Sequence, residues 1–289
     1  MCNRKGIILA GGSGTRLYPM TLAVSKQLLN VYDKPMIYYP LSTLMMCGIR
    51  DICIITNPQN LKFFKSLLGN GENYGINLTY IEQISPDGLA QAYLLAENFL
   101  NGDPSAMILG DNIFHGSDFE RSIKLANENK IKSTIFGYQV SDPSRYGVVE
   151  IDDNGKAISI IEKPENPRSN LAITGLYFLD ENASIMAKDV TPSSRGELEI
   201  TSLLEFYMHK SSLNVEILGR GNAWLDTGTF ESLNDAGNFV RTLQARQGIK
   251  IGCLEEIAFN NGWISSDKLE KLIEFYAKTE YGNHLKNLV

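Results

Sequence analysis

The sequence has few of the residues on which small disulfide-rich or metal-stapled proteins depend. Its 289 residues include four cysteines and three histidines, and no two cysteines form a C-x-x-C pair. Cys47 and Cys53 stand among apolar neighbours, which predicts small buried residues rather than a redox or zinc pair. A chain of this length can bury a substantial core, so we expect it to fold without disulfides or a structural metal.

Long apolar stretches are also missing. The first apolar run, Ile7–Ala10, ends at Gly11-Gly12. It is too short for the core of a secretory signal peptide. No segment reaches the roughly 20 apolar residues that a membrane span needs. We therefore expect a cytoplasmic protein with no membrane association.

An excess of positive charge is absent as well. Lys and Arg total 27 and Asp and Glu total 33, which gives a net charge of −6 and a pI of about 5.2. Because proteins that bind nucleic acid usually carry a basic balance, this composition argues against nucleic acid as a partner. It does not exclude a small anionic substrate, since local charge can oppose the net charge.

The sequence does contain an alternation of β-branched runs and helical patterns. We predict strands at 6–10, 51–56, 76–82, 106–109, 133–140, 148–151, 157–162, 174–179 and 215–218. We predict helices at 35–48 (starting nearer Pro40), 57–68 (capped by Asn57), 88–100, 117–129 (capped by Ser117), 197–209, 230–247 and in the tail 251–289. This order is typical of an α/β fold with a mixed, mostly parallel sheet flanked by helices, and with a helical C-terminal tail.

A glycine-rich segment, Leu9–Leu17, follows the first predicted strand. Its glycines allow a tight turn and let backbone N–H groups point at an anion. The segment has neither the Gly-Lys-Ser/Thr of a P-loop nor a full G-x-G-x-x-G. On the glycines alone, it could therefore equally be a plain turn between strand and helix. Arg16 favours phosphate binding, because a guanidinium beside such N–H groups suits an oligophosphate.

Together with 18–21 and 25–28, this segment resembles the signature of the sugar-nucleotide pyrophosphorylases. Matching blocks follow in the family's order and spacing at 33–39, 86–92, 109–112, 162–164, 174–177, 196–201 and 224–229. The chain is similar to the family nearly end to end. The branch that it resembles most uses dTTP and glucose 1-phosphate.

The resemblance implies a Rossmann-like nucleotidyltransferase fold, with a catalytic domain at 1–250 and a helical extension at 251–289 packed on it. The implied reaction is dTTP + glucose 1-phosphate → dTDP-glucose + pyrophosphate, with Mg²⁺ as cofactor, for the synthesis of dTDP-sugars such as dTDP-rhamnose. A homotetramer is also implied. The attacking phosphate is anionic at neutral pH, so catalysis would consist of positioning and charge neutralisation without a protein nucleophile.

Two carboxylates are the candidate Mg²⁺ ligands, since Mg²⁺ is usually held by one or two carboxylates, phosphate oxygens and waters. Asp111 follows the strand 106–109, at the strand end where ligands bind in open α/β sheets. Asp226 follows another apolar stretch. From local sequence alone, Asp111 could equally cap a turn and Asp226 could be a turn residue before Gly228. The resemblance favours the metal role for both.

The resemblance further implies four basic phosphate ligands. Arg16 would meet the leaving β- and γ-phosphates, Lys26 the nucleotide phosphates, and Lys163 the sugar phosphate, with Arg195 a weaker candidate beside it. For a lone basic residue the ordinary alternative is a solvated surface charge. The other positions expected to bind the nucleotide are Gly11, Gly12, Gly14, Thr15, Gln27, Gln83, Gly88 and Asp111.

Base and sugar recognition are expected at other matched positions. Gln83 offers both a donor and an acceptor to thymine, and Gly88 lets the backbone approach the ring. Contacts to the sugar phosphate are expected from Leu89, Asn112, Gly147, Glu162 and Tyr177. The resemblance also raises a second, regulatory nucleotide site, for which segments 114–116 and 219–221 are candidates.

Other functions stay open at this point. Thymine differs from uracil by one methyl group, and discrimination of one methyl group is worth only about 1–3 kcal/mol, so use of UTP is expected. A non-catalytic binding module on the same fold would be expected to lack Arg16, Lys26 or the carboxylates, which are all present. A dehydrogenase is disfavoured because the acidic ribose ligand after a second strand is missing.

Overall fold

The computed structural model describes residues 4–129 and 132–289. Cys2 lies outside the described residues. The strands are β1 (Lys5–Leu9), β2 (Asn30–Val31), β3 (Lys34–Pro35), β4 (Asp51–Thr56), β5 (Asn77–Glu82), β6 (Ser105–Leu109), β7 (Asn112–Gly116), β8 (Ser133–Gln139), β9 (Gly147–Ile151), β10 (Ala157–Glu162), β11 (Leu171–Leu179), β12 (Leu213–Ile217) and β13 (Asn222–Asp226). The helices are α1 (Tyr38–Met46), α2 (Pro58–Leu68), α3 (Gln91–Leu95), α4 (Glu97–Leu100), α5 (Phe119–Glu128), α6 (Ala183–Ala187), α7 (Ile200–His209), α8 (Phe230–Gln247), α9 (Leu254–Asn260), α10 (Ser266–Phe275) and α11 (Glu280–Lys286).

In the part of the chain that the structure describes, the first half builds the parallel part of a nine-stranded sheet. Strands β5, β4, β1 and β6 lie side by side, all parallel. Their residues alternate between the two faces of the sheet: Ile8 and Ile54 pack into one core, Ile7 and Ile55 into the other. Burial on both faces explains why these strands read as continuous apolar runs. Parallel pairing also places their carboxyl ends at one edge.

Strand β11 turns the sheet from parallel to antiparallel. It pairs antiparallel with β6, β8 and β9, while β9 forms the predicted hairpin with β10. β12 pairs parallel with β8 at another edge. The predicted fold class, a mixed α/β sheet flanked by helices with a helical tail, is confirmed.

A separate two-stranded ribbon, β7 with β13, was not predicted. β7 begins only a short turn after β6 ends, and Asn112 pairs with Asp226 across the ribbon. The residues between β6 and β7, Gly110 and Asp111, form the turn. Local sequence showed only one apolar strand here, because the partner strand lies in the second half of the chain.

Several helix predictions are confirmed and others are wrong in detail. Asn57 caps α2 by accepting from Asn60 N at 3.2 Å, and α8 has the predicted bounds. The single helix predicted at 88–100 is two short helices that meet at Ala96, and the first does not begin before Gln91. Ser117 does not cap α5, which begins after Asp118 without a side-chain cap.

The tail helices α9–α11 share a core with the rest of the chain. Leu254, Leu269 and Leu285 are fully buried and belong to the same hydrophobic cluster as Ile37 in the segment before α1. Among the described residues, none of the helices combines the length and apolar character needed to span a bilayer.

Candidate functional site

The glycine-rich segment forms a loop at the carboxyl end of β1. Gly12 and Gly14 have φ of +94° and +60°, a conformation that side chains rarely adopt. A short 3-10 turn, Thr15–Leu17, follows Gly14. The Thr21 hydroxyl donates to the Gly14 carbonyl at 2.7 Å and holds the loop closed. The glycine loop, and with it Arg16, therefore lies at the edge of the sheet where the parallel strands end.

This loop forms one wall of a cavity of about 410 Å³. All the residues that we predicted to bind the nucleotide line this cavity: Gly11, Gly12, Gly14, Thr15, Arg16, Lys26, Gln27, Gln83, Gly88 and Asp111. Leu89, a predicted sugar-phosphate contact, lines it as well. Residues not predicted also line it, among them Ser13, Pro86, Glu197 and Gly228. The fold thus brings together segments from widely separated places in the chain.

Two aspartates meet beside the cavity although they are far apart in sequence. Asp111 lies at the turn after β6 and Asp226 ends β13, which the β7–β13 ribbon brings alongside. Thr227 ties the two ends together, because its N and Oγ1 donate to the Asp111 carbonyl at 3.2 and 2.9 Å. The side chains are close enough to interact: burial, and to a smaller degree the charge of Asp111, raises the pKa of Asp226.

The surroundings of the two carboxyl groups shift their pKa values in opposite directions. Burial opposes ionisation of Asp111, but the Lys26 ammonium, which pairs with Oδ2, and the Asn112 amide outweigh burial and hold its pKa below the ordinary value. Burial instead raises the pKa of Asp226, although Arg145 and the Tyr146 hydroxyl favour its charged form. These contacts are 3.3 Å from Arg145 Nη2 to Oδ2 and 3.2 Å from Tyr146 Oη to Oδ1.

Tyr146 was not singled out from the sequence, yet it connects two predicted functional residues. Its hydroxyl donates to Asp226, and its carbonyl accepts from the backbone N of Lys163 at 3.0 Å. Lys163 has φ of +42°, a left-handed conformation that is costly for a residue with a side chain. In the sequence, the resemblance pointed to Gly147, which directly follows Tyr146, but not to Tyr146 itself.

A chain of amide contacts fixes the orientation of Gln83. Gln91 Nε2 donates to the Asp87 carboxylate at 2.8 Å, and Gln91 Oε1 accepts from Asp87 N at 3.2 Å. Gln91 Oε1 also accepts from Gln83 Nε2 at 2.7 Å. Gln83 Oε1 therefore points the other way and packs against Gly11, where a Cβ would lie 1.8 Å from it.

Gly88 holds the loop beside Gln83 against a neighbouring segment. Its φ is +118°, and a Cβ there would lie 2.4 Å from the backbone N and O of Leu198. The adjacent backbone is paired with the same residue: Leu198 N donates to Asp87 O at 2.6 Å, and Ala90 N donates to Leu198 O at 2.9 Å. The loop with Gly88 is thus docked on the segment before α7.

The predicted sugar-phosphate residues form a charged cluster next to the cavity. Glu162 accepts from Arg195 Nη2 at 3.3 Å and lies 3.6 Å from Lys163 Nζ. Burial raises the pKa of Glu162, partly offset by those two cations. Arg195 also binds buried Glu199 at 2.8 Å and Glu197 at 3.5 Å. Glu197 lines the cavity, so this cluster adjoins it directly.

Two predicted sugar contacts, Asn112 and Tyr177, are buried, and a third, Gly147, adjoins Glu162. Asn112 is 2 % exposed, and its Oδ1 accepts from Gly175 N at 3.2 Å and Trp224 Nε1 at 2.6 Å, while its amide supports Asp111. Tyr177 is buried in β11, close enough to Glu162 for that charge to add to the effect of burial in raising its pKa. A Cβ on Gly147 would lie 3.3 Å from Glu162 Oε2.

A loop that can cradle phosphate, two converging carboxylates and a half-buried lysine are the parts of a site for group transfer between phosphates. The sequence profile described as nucleotidyl transferase matches residues 5–242 of this chain. The chain belongs to the nucleotidyl transferase family. The resemblance drawn from its motifs is confirmed.

Individual relatives cover the whole chain. It is 57% identical over 288 residues to the glucose-1-phosphate thymidylyltransferase of Xanthomonas campestris pv. campestris, covering 100% of this chain and 98% of that protein. It is 56% identical to the enzyme of the same name from Neisseria meningitidis, with 99% of each chain covered. A structure of UDP-glucose pyrophosphorylase with UDP-glucose matches 83% of this chain and 99% of its own, with a TM-score of 0.74 and 25% identity.

Proposed function

We propose that the chain transfers the thymidylyl group of dTTP to glucose 1-phosphate and releases pyrophosphate. The observation that carries this proposal is that Asp111, Lys26 and the glycine loop line one cavity, while the β7–β13 ribbon brings Asp226 beside Asp111. The relatives that match over nearly the full chain bear the name of this activity. No described residue pair forms a nucleophile with an activating base at this cavity, and the reaction needs none.

In the proposed reaction an oxygen of the sugar phosphate attacks the α-phosphorus of the nucleotide, and the bond to the β-phosphate oxygen breaks. The electrons of that bond leave with pyrophosphate. Arg16, on the loop, meets the charge that develops on the leaving group. Lys26 neutralises charge on the nucleotide phosphates. Fixed positive groups at the point where charge develops account for a large share of catalysis in such sites.

The donor set at Asp111 and Asp226 fits Mg²⁺, because two neighbouring carboxylates offer hard oxygen ligands. When bound there, Mg²⁺ would neutralise phosphate charge and polarise the phosphoryl oxygens. Asp111 now pairs with Lys26. A cation between the carboxylates would leave the Lys26 ammonium available for the nucleotide.

On the sugar side, we propose that Lys163 holds the phosphate of glucose 1-phosphate. Its backbone is fixed by Tyr146, which also contacts Asp226, so the sugar phosphate and the metal ligands are placed by the same residue. Glu162 is suited to accept from sugar hydroxyls, and Arg195 keeps it in place. The proposed sugar pocket also includes Tyr177, Gly147 and Asn112.

Incubation with glucose 1-phosphate, Mg²⁺ and each nucleoside triphosphate in turn, with pyrophosphate release as the readout, tests the proposed function. We expect release with dTTP and, more weakly, with UTP, because the two bases differ by one methyl group. Heat-denatured protein serves as the control. Absence of release with both nucleotides would contradict the proposal.

We further propose a homotetramer that works in the cytoplasm and supplies dTDP-sugars such as dTDP-rhamnose, with residues 1–250 as the catalytic domain and 251–289 as a packed extension. Exposed isoleucines on sheet-edge strands support assembly: Ile158 and Ile161 on β10 are 52% and 46% exposed, and Ile217 on β12 is 48% exposed. Light scattering after gel filtration measures the assembly, and a monomer would contradict this part.

A further inference from the structure

A cysteine, a glutamate and a histidine meet where the tail helices pack together. Cys253 stands immediately before α9, Glu256 lies on the first turn of α9, and His284 lies on α11. One ligand atom of each, the thiol sulfur, a carboxylate oxygen and a ring nitrogen, lies within 4.8 Å of the other two. His284 Nε2 and Glu256 Oε2 are 2.8 Å apart. None of these residues takes part in the site described above.

The three donor types suit a transition metal of the zinc class. Zn²⁺ binds thiolate sulfur, imidazole nitrogen and carboxylate oxygen at about 2.0–2.3 Å, so ligand atoms on one ion lie about 3–4 Å apart. The observed spacing needs only small side-chain rotations to reach this. Mg²⁺ is not expected here, because it prefers oxygen ligands.

A further carboxyl group lies beside the cluster. Glu255, next to the cluster in sequence, is fully buried, and its Oε2 accepts from the Tyr281 hydroxyl and lies 3.9 Å from the Cys253 sulfur. Its other oxygen, Oε1, is buried without a hydrogen-bond partner. Lys34 is a buried cation whose charge acts on Glu255, but its ammonium is paired with Asp33. Two carboxyl groups, those of Glu255 and Glu256, thus lie beside the thiol.

An ion can reach the cluster from outside. Cys253 and Glu256 line a second cavity of about 380 Å³, together with the segment Phe114–Gly116. Cys253 is itself 1% exposed, so the sulfur sits at the inner end and the carboxylate nearer the opening. An entry path and mixed N, O and S donors are two of the requirements for a credible metal site.

We propose that Cys253, Glu256 and His284 bind one Zn²⁺-class ion, with water in the fourth position. The thiol proton is released to solvent on binding, and the His284–Glu256 contact is replaced by two bonds to the ion. The ion would link the start of α9 to α11 and so stabilise the packing of the tail.

Titration of the reduced, metal-free protein with Co²⁺ tests this site, because a thiolate ligand gives a charge-transfer absorption that the sulfur-free Asp111/Asp226 site cannot produce. We expect the band to saturate at one ion per chain and to vanish when Zn²⁺ is added. Zn²⁺ should also raise the melting temperature. Absence of the band in the parent protein would overturn the proposal.

Variants show which residues bind. We expect Cys253→Ser to remove the band and His284→Gln to weaken Co²⁺ binding at least about tenfold. The matched controls, Cys47→Ser and His209→Gln, should bind as the parent does. If Cys253→Ser does not fold, His284→Gln alone decides the matter, since its side chain is partly exposed. Parent-like binding by His284→Gln would overturn the proposal.

A second inference follows from the orientation of the amide groups around Gln83, and it rests on the proposed function. A carboxylate can only accept hydrogen bonds, so Asp87 forces Gln91 to present Nε2 to it. Gln91 Oε1 then faces the Gln83 amide and accepts a hydrogen bond from Gln83 Nε2. We infer that Gln91 is a positioning residue that makes Gln83 present an acceptor to the base.

An acceptor at this point selects bases with a ring N–H. Thymine and uracil carry a donor at N3, whereas cytosine has an acceptor there. The Asp87–Gln91–Gln83 chain would therefore admit dTTP and UTP and reject dCTP. A site that leaves a buried polar group unpaired with the wrong substrate discriminates strongly.

Competition between dTTP and dCTP measures this effect. In Gln91→Leu, the Gln83 amide is free to turn over, so we expect the dTTP:dCTP ratio of kcat/KM to fall at least about tenfold, mainly through a higher KM for dTTP. The double variant Asp87→Asn/Gln91→Glu keeps the same orientation of Gln83. The amide introduced at position 87 can donate to the carboxylate introduced at position 91, which still accepts from Gln83 Nε2, so this variant should restore the ratio.

The outcomes separate the two levels of the proposal. An active Gln91→Leu enzyme with the parent ratio would overturn the role of Gln91 and leave the proposed function intact. An unrestored ratio in a folded, active double variant would also overturn it. Parent protein that is inactive with dTTP and UTP would instead contradict the proposed function.

Discussion

Thr227 donates to the carbonyl of Asp111 with both its backbone N and its hydroxyl, at 3.2 and 2.9 Å. Thr227 is fully buried and directly follows Asp226. These two bonds join the end of β13 to the turn after β6, and they fix the spacing of the two carboxylates. The proposed Mg²⁺ site therefore depends on a residue that would not touch the ion.

Replacement of this hydroxyl is the first test. In Thr227→Val one of the two bonds is lost while the shape is kept, so we expect kcat/KM to fall about 3- to 10-fold, as for the loss of one buried hydrogen bond. The Mg²⁺ concentration for half-maximal activity should rise with it. Thr227→Ser retains the hydroxyl and should stay near the parent. Equal Mg²⁺ curves for the valine and serine variants would contradict this role.

The carboxylates themselves give the largest expected effect. Asp111→Asn and Asp226→Asn each remove a charge from the proposed Mg²⁺ site, and we expect pyrophosphate release to fall at least about 100-fold. Circular dichroism should show unchanged secondary structure. Asp153→Asn, at an exposed turn between β9 and β10, is the control and should behave as the parent. Near-normal rates in either site variant would remove that residue from the metal site.

Stability as a function of pH reports on Glu162. Burial raises its pKa in the folded chain despite Lys163 and Arg195, so the folded state holds the proton more tightly than the unfolded state. The parent therefore loses stability as the pH rises from about 4.3 through the raised pKa. Glu162→Gln lacks this charge, so its melting temperature relative to the parent should increase over the same pH range and then level off.

The control for that experiment is Glu165→Gln, at an exposed position nearby. Its melting temperature should follow the parent at every pH. Glu162→Gln should also raise the KM for glucose 1-phosphate, because the carboxylate is a proposed sugar ligand. If the difference in melting temperature between Glu162→Gln and the parent is the same at every pH, the prediction that ionisation of Glu162 destabilises the folded chain is wrong.

Gly88 offers a test of backbone geometry. Both Gly88 and Gly155 have positive φ, a conformation that residues with a side chain rarely adopt. A Cβ at Gly88 would also collide with Leu198, whereas nothing lies within 4 Å at Gly155. Gly88→Ala should therefore destabilise the chain more than Gly155→Ala and raise the KM for dTTP. Equal KM values in the two variants would contradict a role for Gly88 in nucleotide binding.

Much of the fold was predictable because it depends on local signals. The bounds of β4 and α8 match the prediction, and Asn57 caps α2 as expected. Buried parallel strands read as continuous apolar runs, and helix ends carry capping residues, so both are visible in a few neighbouring residues. The ribbon of β7 and β13 was missed because each strand pairs with a partner far away in the sequence, and the break at Ala96 was missed as well.

By itself, the sequence determined the order of strands and helices, the glycine loop and the motifs that identify the family. Only the tertiary structure decided which of those motifs meet. Long-range strand pairing brings Asp226 to Asp111, and hydrogen-bond polarity passed from Asp87 through Gln91 orients Gln83. Helix packing gathers Cys253 and His284, whose spacing in sequence shows no metal motif. Such juxtapositions arise from the three-dimensional path of the chain, which local residue patterns do not record.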